Sequence, residues 1–335
     1  MTQPQSDSVQ TNGPTGTKLG LLLPTRGLLL AEERPQSADR ILDLACRAED
    51  AGLDSVWVGD SLTAKPRLEP LTTLAAVAAR TSRVRLGTAV LLMALRHPVL
   101  LSQSLGTVDL ISKGRLMIAA GVGGAFNDEQ QAEWKAAGVS ARRRASRTEE
   151  MAHIVKGLGR GETVTFAGRH FDLDSVTVKP WPVQDGGVPL YLACHWRSGA
   201  RDAQIRRAAR FADGIISISD TPEEHARVIE AVRAEAAQLG RDPASLESVM
   251  YLTVNMDSDV ARAEEEAERY LLGYYGANIW GSRWGPFGGP ERVRERIAEY
   301  VEAGADTVVV RFASFEPERQ LSAFLERVAP AFGTV

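Results

Sequence analysis

VRLGTAVLLMALRHPVLLSQSLGTVDLISKGRLMIAAGVG (Val84–Gly123) decides how this chain folds. Val84–Val90 is an apolar, β-rich run whose end carries Gly87, Thr88 and Ala89. Leu116–Ala120 is a second such run, ending at Gly121-Val122-Gly123-Gly124. Between them Pro98 opens a helix that the spacing carries to about Leu110. Two strands joined through a helix point the same way and pair in parallel, with a right-handed crossover. Both strands finish on small residues, where a ligand would need room.

Reading outward from this unit, the same alternation recurs. Lys18–Leu23 is a buried strand closed by Pro24, and a helix follows from Pro35 to a stop at Gly52. Ser55–Gly59 is the second strand, and Glu69-Pro70 opens the helix that leads back to Val84. From Phe126 to Val183 the rhythm breaks into a helix near Arg147–Leu158 and a hairpin-like stretch around Gly168, outside the main sheet. Strands resume at Val188–Ala193, Gly214–Ile218, Ser248–Asn255 and Asp306–Arg311. Helices at Gln204–Ala212, Pro222–Leu239, Pro290–Ala303 and Glu316–Val328 fill the gaps. Eight βα alternations predict an α/β chain closed into a (β/α)8 TIM barrel, with insertions after strands 4 and 7 at about 126–183 and 261–289. The alternative is an open doubly wound sheet, but no G-x-G-x-x-G follows the first strand. The expected organisation is a disordered leader over 1–17 and one barrel domain over 18–335.

Composition narrows the partners. The chain has 335 residues, 24% of them charged, and a net charge of −4, which gives no electrostatic reason to bind nucleic acid or an anionic membrane. Cys46 and Cys194 make neither a disulfide framework nor a metal spacing, and Cys46 is expected in the core. No apolar run approaches the ~18 residues of a membrane span, and the polar N-terminus lacks the order of a signal peptide. A cytoplasmic protein is the expectation.

In a barrel of this kind function gathers at the C-terminal ends of the strands. No lysine stands there to form a Schiff base, the five histidines are scattered with no metal-ligand spacing, and no G-x-S-x-G elbow occurs. No metal site is expected, and no carboxylate pair suits glycoside hydrolysis. What remains at the strand ends, with Asp60, His195 and Arg311 as candidate catalytic groups, suits a bulky cofactor that brings its own reactivity. The segment Ala261–Gly289 begins as an acidic helix and continues as GANIWGSRWGPFGG, which reads as a lid over the barrel mouth or as a surface or oligomer contact. Arg142-Arg143-Arg144 reads as a solvated helix start.

Gly52–Asp60 (GLDSVWVGD), Val84–Val90, Arg96-His97-Pro98, Gly114–Leu116 with Gly121–Gly123, and Gly289–Val310 together resemble the bacterial luciferase-like flavin oxidoreductases, in order and spacing from Lys18 to about Pro330. The resemblance implies the same barrel and a flavin-type cofactor. It places a non-proline cis peptide at Ala89-Val90 behind the ring, with Thr88 beside it, and Gly121 and Gly123 near the ring or its side chain. Asp60 and Ser61 match the acid-plus-His pair after strand two, with Ser in place of His, so no catalytic histidine is carried over there. Arg197-Ser198-Gly199 resembles the cofactor phosphate site, although Ser198-Gly199 also reads as a simple helix cap. His97 and His195 have structural readings beside the catalytic one.

The expectation is thus an oxidoreductase using reduced FMN, with O2 captured at the ring to oxygenate a small organic substrate and a separate flavin reductase as possible partner. Hydride transfer with coenzyme F420 is the alternative, and a non-catalytic flavin-binding barrel or a phosphate-substrate enzyme stand beyond it. The resemblance also implies a homodimer or larger homo-oligomer.

Overall fold

The computed structural model describes residues 16–333 apart from 278 and 280. The expected leader therefore lies, up to residue 15, outside the described residues. In chain order the elements begin β1 (Lys18–Leu22), α1 (Thr25–Ala31), α2 (Asp39–Asp50), β2 (Ser55–Val58), α3 (Pro70–Arg80), β3 (Arg85–Leu91), α4 (Pro98–Ser112) and β4 (Leu116–Ala120). They continue with α5 (Asp128–Ala136), α6 (Arg144–Gly159), the hairpin β5 (Val164–Ala167) and β6 (Asp172–Val176), β7 (Leu190–Ala193), α7 (Arg201–Phe211) and β8 (Gly214–Ile218). The last set is α8 (Pro222–Gln238), β9 (Glu247–Met256), α9 (Val260–Tyr275), β10 (Phe287–Gly288), α10 (Pro290–Glu302), β11 (Thr307–Phe312) and α11 (Pro317–Arg327).

Strands β1, β2, β3, β4, β7, β8, β9 and β11 pair in parallel in that order, and β11 returns to β1. The sheet closes, as expected for a (β/α)8 barrel. The hairpin β5–β6 is antiparallel and separate, and β10 adds a short parallel piece to the end of β9.

Alternation along the strands builds two cores. Met117 and Ala119 of β4 point inward with Trp57, Tyr191, Val249 and Tyr251, while Leu116, Ile118 and Ala120 point outward to the helices. Trp57 fills the lower interior because Gly20 and Gly87 yield it space: a Cβ on Gly87 would lie 2.2 Å from the indole ring, and one on Gly20 2.8 Å from its Nε1. Polar pairs gather at the N-terminal end of the barrel, Lys18 on Glu247 at 3.0 Å and Arg85 on Asp54 at 2.6 Å, with the Tyr191 hydroxyl donating to Glu247. The interior is thus packed below and open only above, at the C-terminal ends.

The outer layer shows where the sequence reading needed adjusting. Helix α6 packs between α4 and α7, so it is the barrel's own fourth helix and not part of an added segment. The additions in 126–183 are α5 and the hairpin. Helix α10, by contrast, packs against α8 and α11, so α9 and the stretch after it form the insertion expected after the seventh barrel strand. The helix ring closes with Arg40 of α2 bidentate on Glu318 of α11, at 2.5 and 2.7 Å. Cys46 is half-buried, its thiol on the Arg80 carbonyl at 3.7 Å, because it faces the α2–α3 groove and not the core.

Candidate functional site

Above the packed interior lies a chamber of about 200 Å3, lined by Asp60, Arg67, Ala89, Val90, His195, Ile218, Tyr251, Tyr274 and Tyr275 among others. Its floor is strand: the Ala89-Val90 peptide is cis, and β3 slips register against β4 between Ala89 and Leu91. One wall comes from the loop after β2, another from β7 and β8, and the third from the C-terminal turn of α9. A second, outer groove of about 540 Å3 is lined by Phe126, Arg197, Ser198, Ser219, Asp220 and Arg283. His195 borders both spaces.

Asp60 is buried, and both of its oxygens are engaged. Oδ2 accepts from Arg96 Nη1 at 2.5 Å and from the Leu92 N–H at 2.8 Å, and Oδ1 accepts from Arg96 Nη2 at 3.2 Å. The RHP segment read in the sequence therefore sends its arginine back to brace the end of β2, and Arg96 also reaches Glu69 at 3.1 Å. This arrangement pins the Asp60 side chain at the chamber's rim and ties β2 to the turn after β3.

Four of the other expected ligand contacts do not line the chamber. Ser61 turns away, donating to Glu133 Oε1 at 2.6 Å and accepting the Lys65 N–H at 2.8 Å. Glu133, buried in α5, also accepts the Thr63 and Ala64 N–H groups, so it fastens the β2 loop. Thr88 points sideways and trades hydrogen bonds with the Ala119 backbone at 2.8 and 3.1 Å. A Cβ on Gly121 would stand 2.9 Å from Val90, and one on Gly123, whose φ is +75°, would stand 2.9 Å from Trp134. These glycines admit protein side chains. Arg144 leaves the solvated arginine run to donate to the Gly123 carbonyl at 2.9 Å, while Arg142 and Arg143 are exposed as expected.

At the outer groove, Ser198 Oγ accepts from the Ala200 N–H at 3.1 Å and from Gln204 Nε2 at 2.8 Å. Helix α7 begins without a side-chain cap, a Cβ on Gly199 would meet open space, and Arg197 is exposed, 4.0 Å from Glu224. An uncapped helix start with open space and an arginine beside it fits a phosphate. His195 is held by its own N–H on Gln204 Oε1 at 3.0 Å, and its Nδ1 accepts from the Ile218 N–H at 3.4 Å, with Asp220 at 3.7 Å. That leaves Nε2 as the nitrogen carrying the proton in the neutral ring. Cys194 is fully buried, and burial pushes its thiol up to about 12, so it is no nucleophile.

Sequence reasoning named Arg311 but missed the cluster it belongs to, of whose arginines only Arg67 lines the chamber. Three guanidiniums, Arg26, Arg67 and Arg311, surround the ring of Tyr274, with centroid distances of 5.3, 5.4 and 4.9 Å. Arg67 Nη1 donates to the Tyr274 hydroxyl oxygen at 3.0 Å. Arg311, buried in β11, donates to the Tyr275 hydroxyl at 2.7 Å and to Thr253 Oγ1 at 2.8 Å, while its Nε is buried without a partner among the described residues. Among the described residues Arg311 is surrounded by tyrosines, not carboxylates. Arg26 of α1 donates to the Tyr274 and Gly273 carbonyls at the end of α9 and to the Pro66 carbonyl of the β2 loop. None of the three pairs with a carboxylate among the described residues. Burial pushes the Tyr274 phenol up, but Arg67, Arg311 and Arg26 outweigh it, and the group titrates below its ordinary range. Burial holds Tyr251, Tyr270 and Tyr275 above theirs.

Among the described residues no group of three or more His, Cys, Asp or Glu is placed to hold a metal, and no helix is long and apolar enough to cross a membrane. Compared with known proteins, residues 17–282 match the model of the luciferase-like monooxygenase family. An F420-dependent glucose-6-phosphate dehydrogenase of Beutenbergia cavernae is 31% identical over 313 residues, spanning 84% of this chain and 88% of that protein. Among solved structures, the monooxygenase RslO1 from Streptomyces bottropensis superposes with a TM-score of 0.76 at 24% identity, over 93% of this chain and 99% of that one. An F420-dependent secondary alcohol dehydrogenase in complex with an F420-acetone adduct superposes with a TM-score of 0.75 at 21% identity, over 95% and 99%.

Proposed function

Because this chain belongs to the luciferase-like monooxygenase family, we propose that it is an oxidoreductase whose cofactor is coenzyme F420 and whose reaction is hydride transfer to or from a small hydroxyl or carbonyl compound. The observation that carries this reading is the run of F420-dependent glucose-6-phosphate dehydrogenases, 28% and 31% identical to the chain over most of both lengths. It reverses the order of the sequence expectation, which set FMN first and F420 second. The two cofactors share a phosphate-bearing side chain, so the Arg197-Ser198-Gly199 turn suits either, and the difference lies at the ring.

The chain's residues fit such a group. The outer groove offers the uncapped start of α7 to a phosphate, with Arg197 supplying charge and Ser198 a hydroxyl. The chamber beyond His195 offers Ala89 and Val90 as an apolar floor for a flat ring. When bound, the deazaflavin supplies a carbon centre that gives or takes hydride and does not activate O2. Asp60 pairs with Arg96 at the rim, and the arginine–tyrosine wall favours substrates with developing negative charge on oxygen.

Fluorescence titration of the cofactor-free protein with F420 and with FMN, each oxidised and reduced, tests the reading. F420 should bind at least about tenfold more tightly, a difference of about 1.4 kcal/mol. F420 absorbance should then change on addition of a turning-over alcohol. Tighter binding of reduced FMN, with O2-dependent product formation, would refute the reading in favour of the monooxygenase.

A further inference from the structure

Hydride transfer to or from an oxygen-bearing carbon leaves a proton to be placed, and the position where relatives are expected to carry a histidine is Ser61, which is turned onto Glu133. The chamber's other wall supplies a group suited to the task. Tyr274 lines the chamber, and its hydroxyl oxygen accepts a hydrogen bond from Arg67 Nη1 at 3.0 Å. An oxygen already accepting from a guanidinium turns its own proton elsewhere, and no acceptor for that proton occurs among the described residues. The cation favours the phenolate over the phenol.

We propose that Tyr274 is the residue that exchanges the proton with substrate oxygen, and that Arg67 is the positioning residue that holds and activates it. The proposal rests on the hydride-transfer reading above. In the oxidising direction the substrate's C–H bond breaks, with both electrons leaving as hydride to the oxidised deazaflavin. The substrate O–H bond breaks with its proton passing to the Tyr274 phenolate oxygen, and the C=O bond forms. Tyr274 then returns the proton to solvent. In reduction every transfer runs backwards.

The surroundings of Tyr274 bear on its titration from each element. Arg26 of α1, Arg67 of the β2 loop and Arg311 of β11 face its ring and favour the phenolate. Tyr251 of β9 and Tyr270 and Tyr275 of α9 are neutral at physiological pH because burial raises them. Asp60 shares the chamber lining and is matched by Arg96, and Glu129, which acts on Arg26, is paired with Lys65. The net field at Tyr274 is positive. His195, which also lines the chamber, is the competing proton carrier.

The test begins without cofactor. Ultraviolet difference titration of the full chain and of Tyr274→Phe, at the tyrosinate band, should show that the variant lacks one phenolate transition lying below about 10, the ordinary value. Arg67→Met should move that transition upward, and Arg67→Lys should restore part of the shift. Loss in Tyr274→Phe of only a transition at or above 10 would overturn the proposal. In the holoenzyme, with glucose 6-phosphate and simple secondary alcohols as probes, Tyr274→Phe should keep F420 affinity within about twofold and lower kcat by about 10²-fold or more. It should also remove the matching limb of the pH profile. A limb that survives in Tyr274→Phe and disappears in His195→Gln would overturn the proposal while leaving the cofactor reading intact. Failure of F420 to bind wild type, or no turnover across the probes, would overturn the hydride-transfer reading and this proposal with it.

Discussion

The Asp60–Arg96 pair can be taken apart to learn whether Asp60 is a brace or a proton carrier. Asp60 is almost wholly enclosed, its side chain 3% exposed, and Arg96 is 23% exposed. Two guanidinium hydrogen bonds and one backbone N–H satisfy the carboxylate. Arg96→Met strips away both of the former and leaves a buried charge with one donor, which should cost about 3–5 kcal/mol. Asp60→Asn keeps an oxygen for the Leu92 N–H and gives up the ionic contact, for about 2–3 kcal/mol, while Arg96 retains Glu69 at 3.1 Å. Because both single changes delete the same contact, the double variant should cost less than the sum by about 1–3 kcal/mol. Urea unfolding followed by circular dichroism at pH 7 measures all four proteins. Additivity within about 0.5 kcal/mol would refute the brace, as would an Arg96→Met variant as stable as wild type. A brace also predicts that Asp60→Asn leaves the shape of the kcat–pH profile intact.

Three further outcomes are expected. Gly87→Ala puts a methyl 2.2 Å from the rigid Trp57 ring inside the barrel and should destabilise by about 3 kcal/mol, seen as a large fall in Tm; an unchanged Tm would contradict the packed interior. His225 is fully buried between Ser217 and Ser248, and burial pulls its imidazole down to about 4, below the 6.5 of an exposed ring. The unfolded chain thus binds the proton first, so stability is complete above pH 6.5 and should fall by up to about 3 kcal/mol as pH drops towards 4, a slope that His225→Gln should flatten. Ser198→Asp sets a negative charge at the start of α7 and should weaken a phosphate-bearing cofactor by about tenfold in fluorescence titration; equal affinity would move the phosphate elsewhere.

The eight strands were legible because each is a short apolar run bounded by Gly, Pro or Asp, and the parallel crossovers leave few ways to arrange them. Leu116–Ala120 and Gly214–Ile218 match their strands residue for residue, and the boundaries of the other six shift by one or two positions. Helix α5 escaped notice because Asp128–Ala136 is polar and carries Trp134 as its one large apolar side chain, too little for a periodic stripe. Helix α1 follows Pro24 so closely that the proline reads as the end of a strand and nothing more. The site was harder. Arg67 sits in a loop, Tyr274 on a helix and Arg311 in a strand, more than two hundred positions separating the first from the second. They meet because β11 lies between β9 and β1, which is a property of the closed barrel and not of any local pattern. The signal that was present is YLLGYY, which sets Tyr270 and Tyr274 four apart on one face of α9.

Arg26 reaches the last carbonyls of α9 with one part of its guanidinium and the Pro66 carbonyl with another. For anyone building chimeras, those two stretches form a single transplantable module whose key lies in a third. A donor α9 grafted from a relative would arrive without its lock unless residue 26 travelled alongside, and a redesigned β2 loop would inherit the same dependency. Libraries meant to broaden what the chamber accepts should therefore vary positions 26, 66–67 and 273–275 together, since single-segment shuffling would discard workable combinations before any assay could see them.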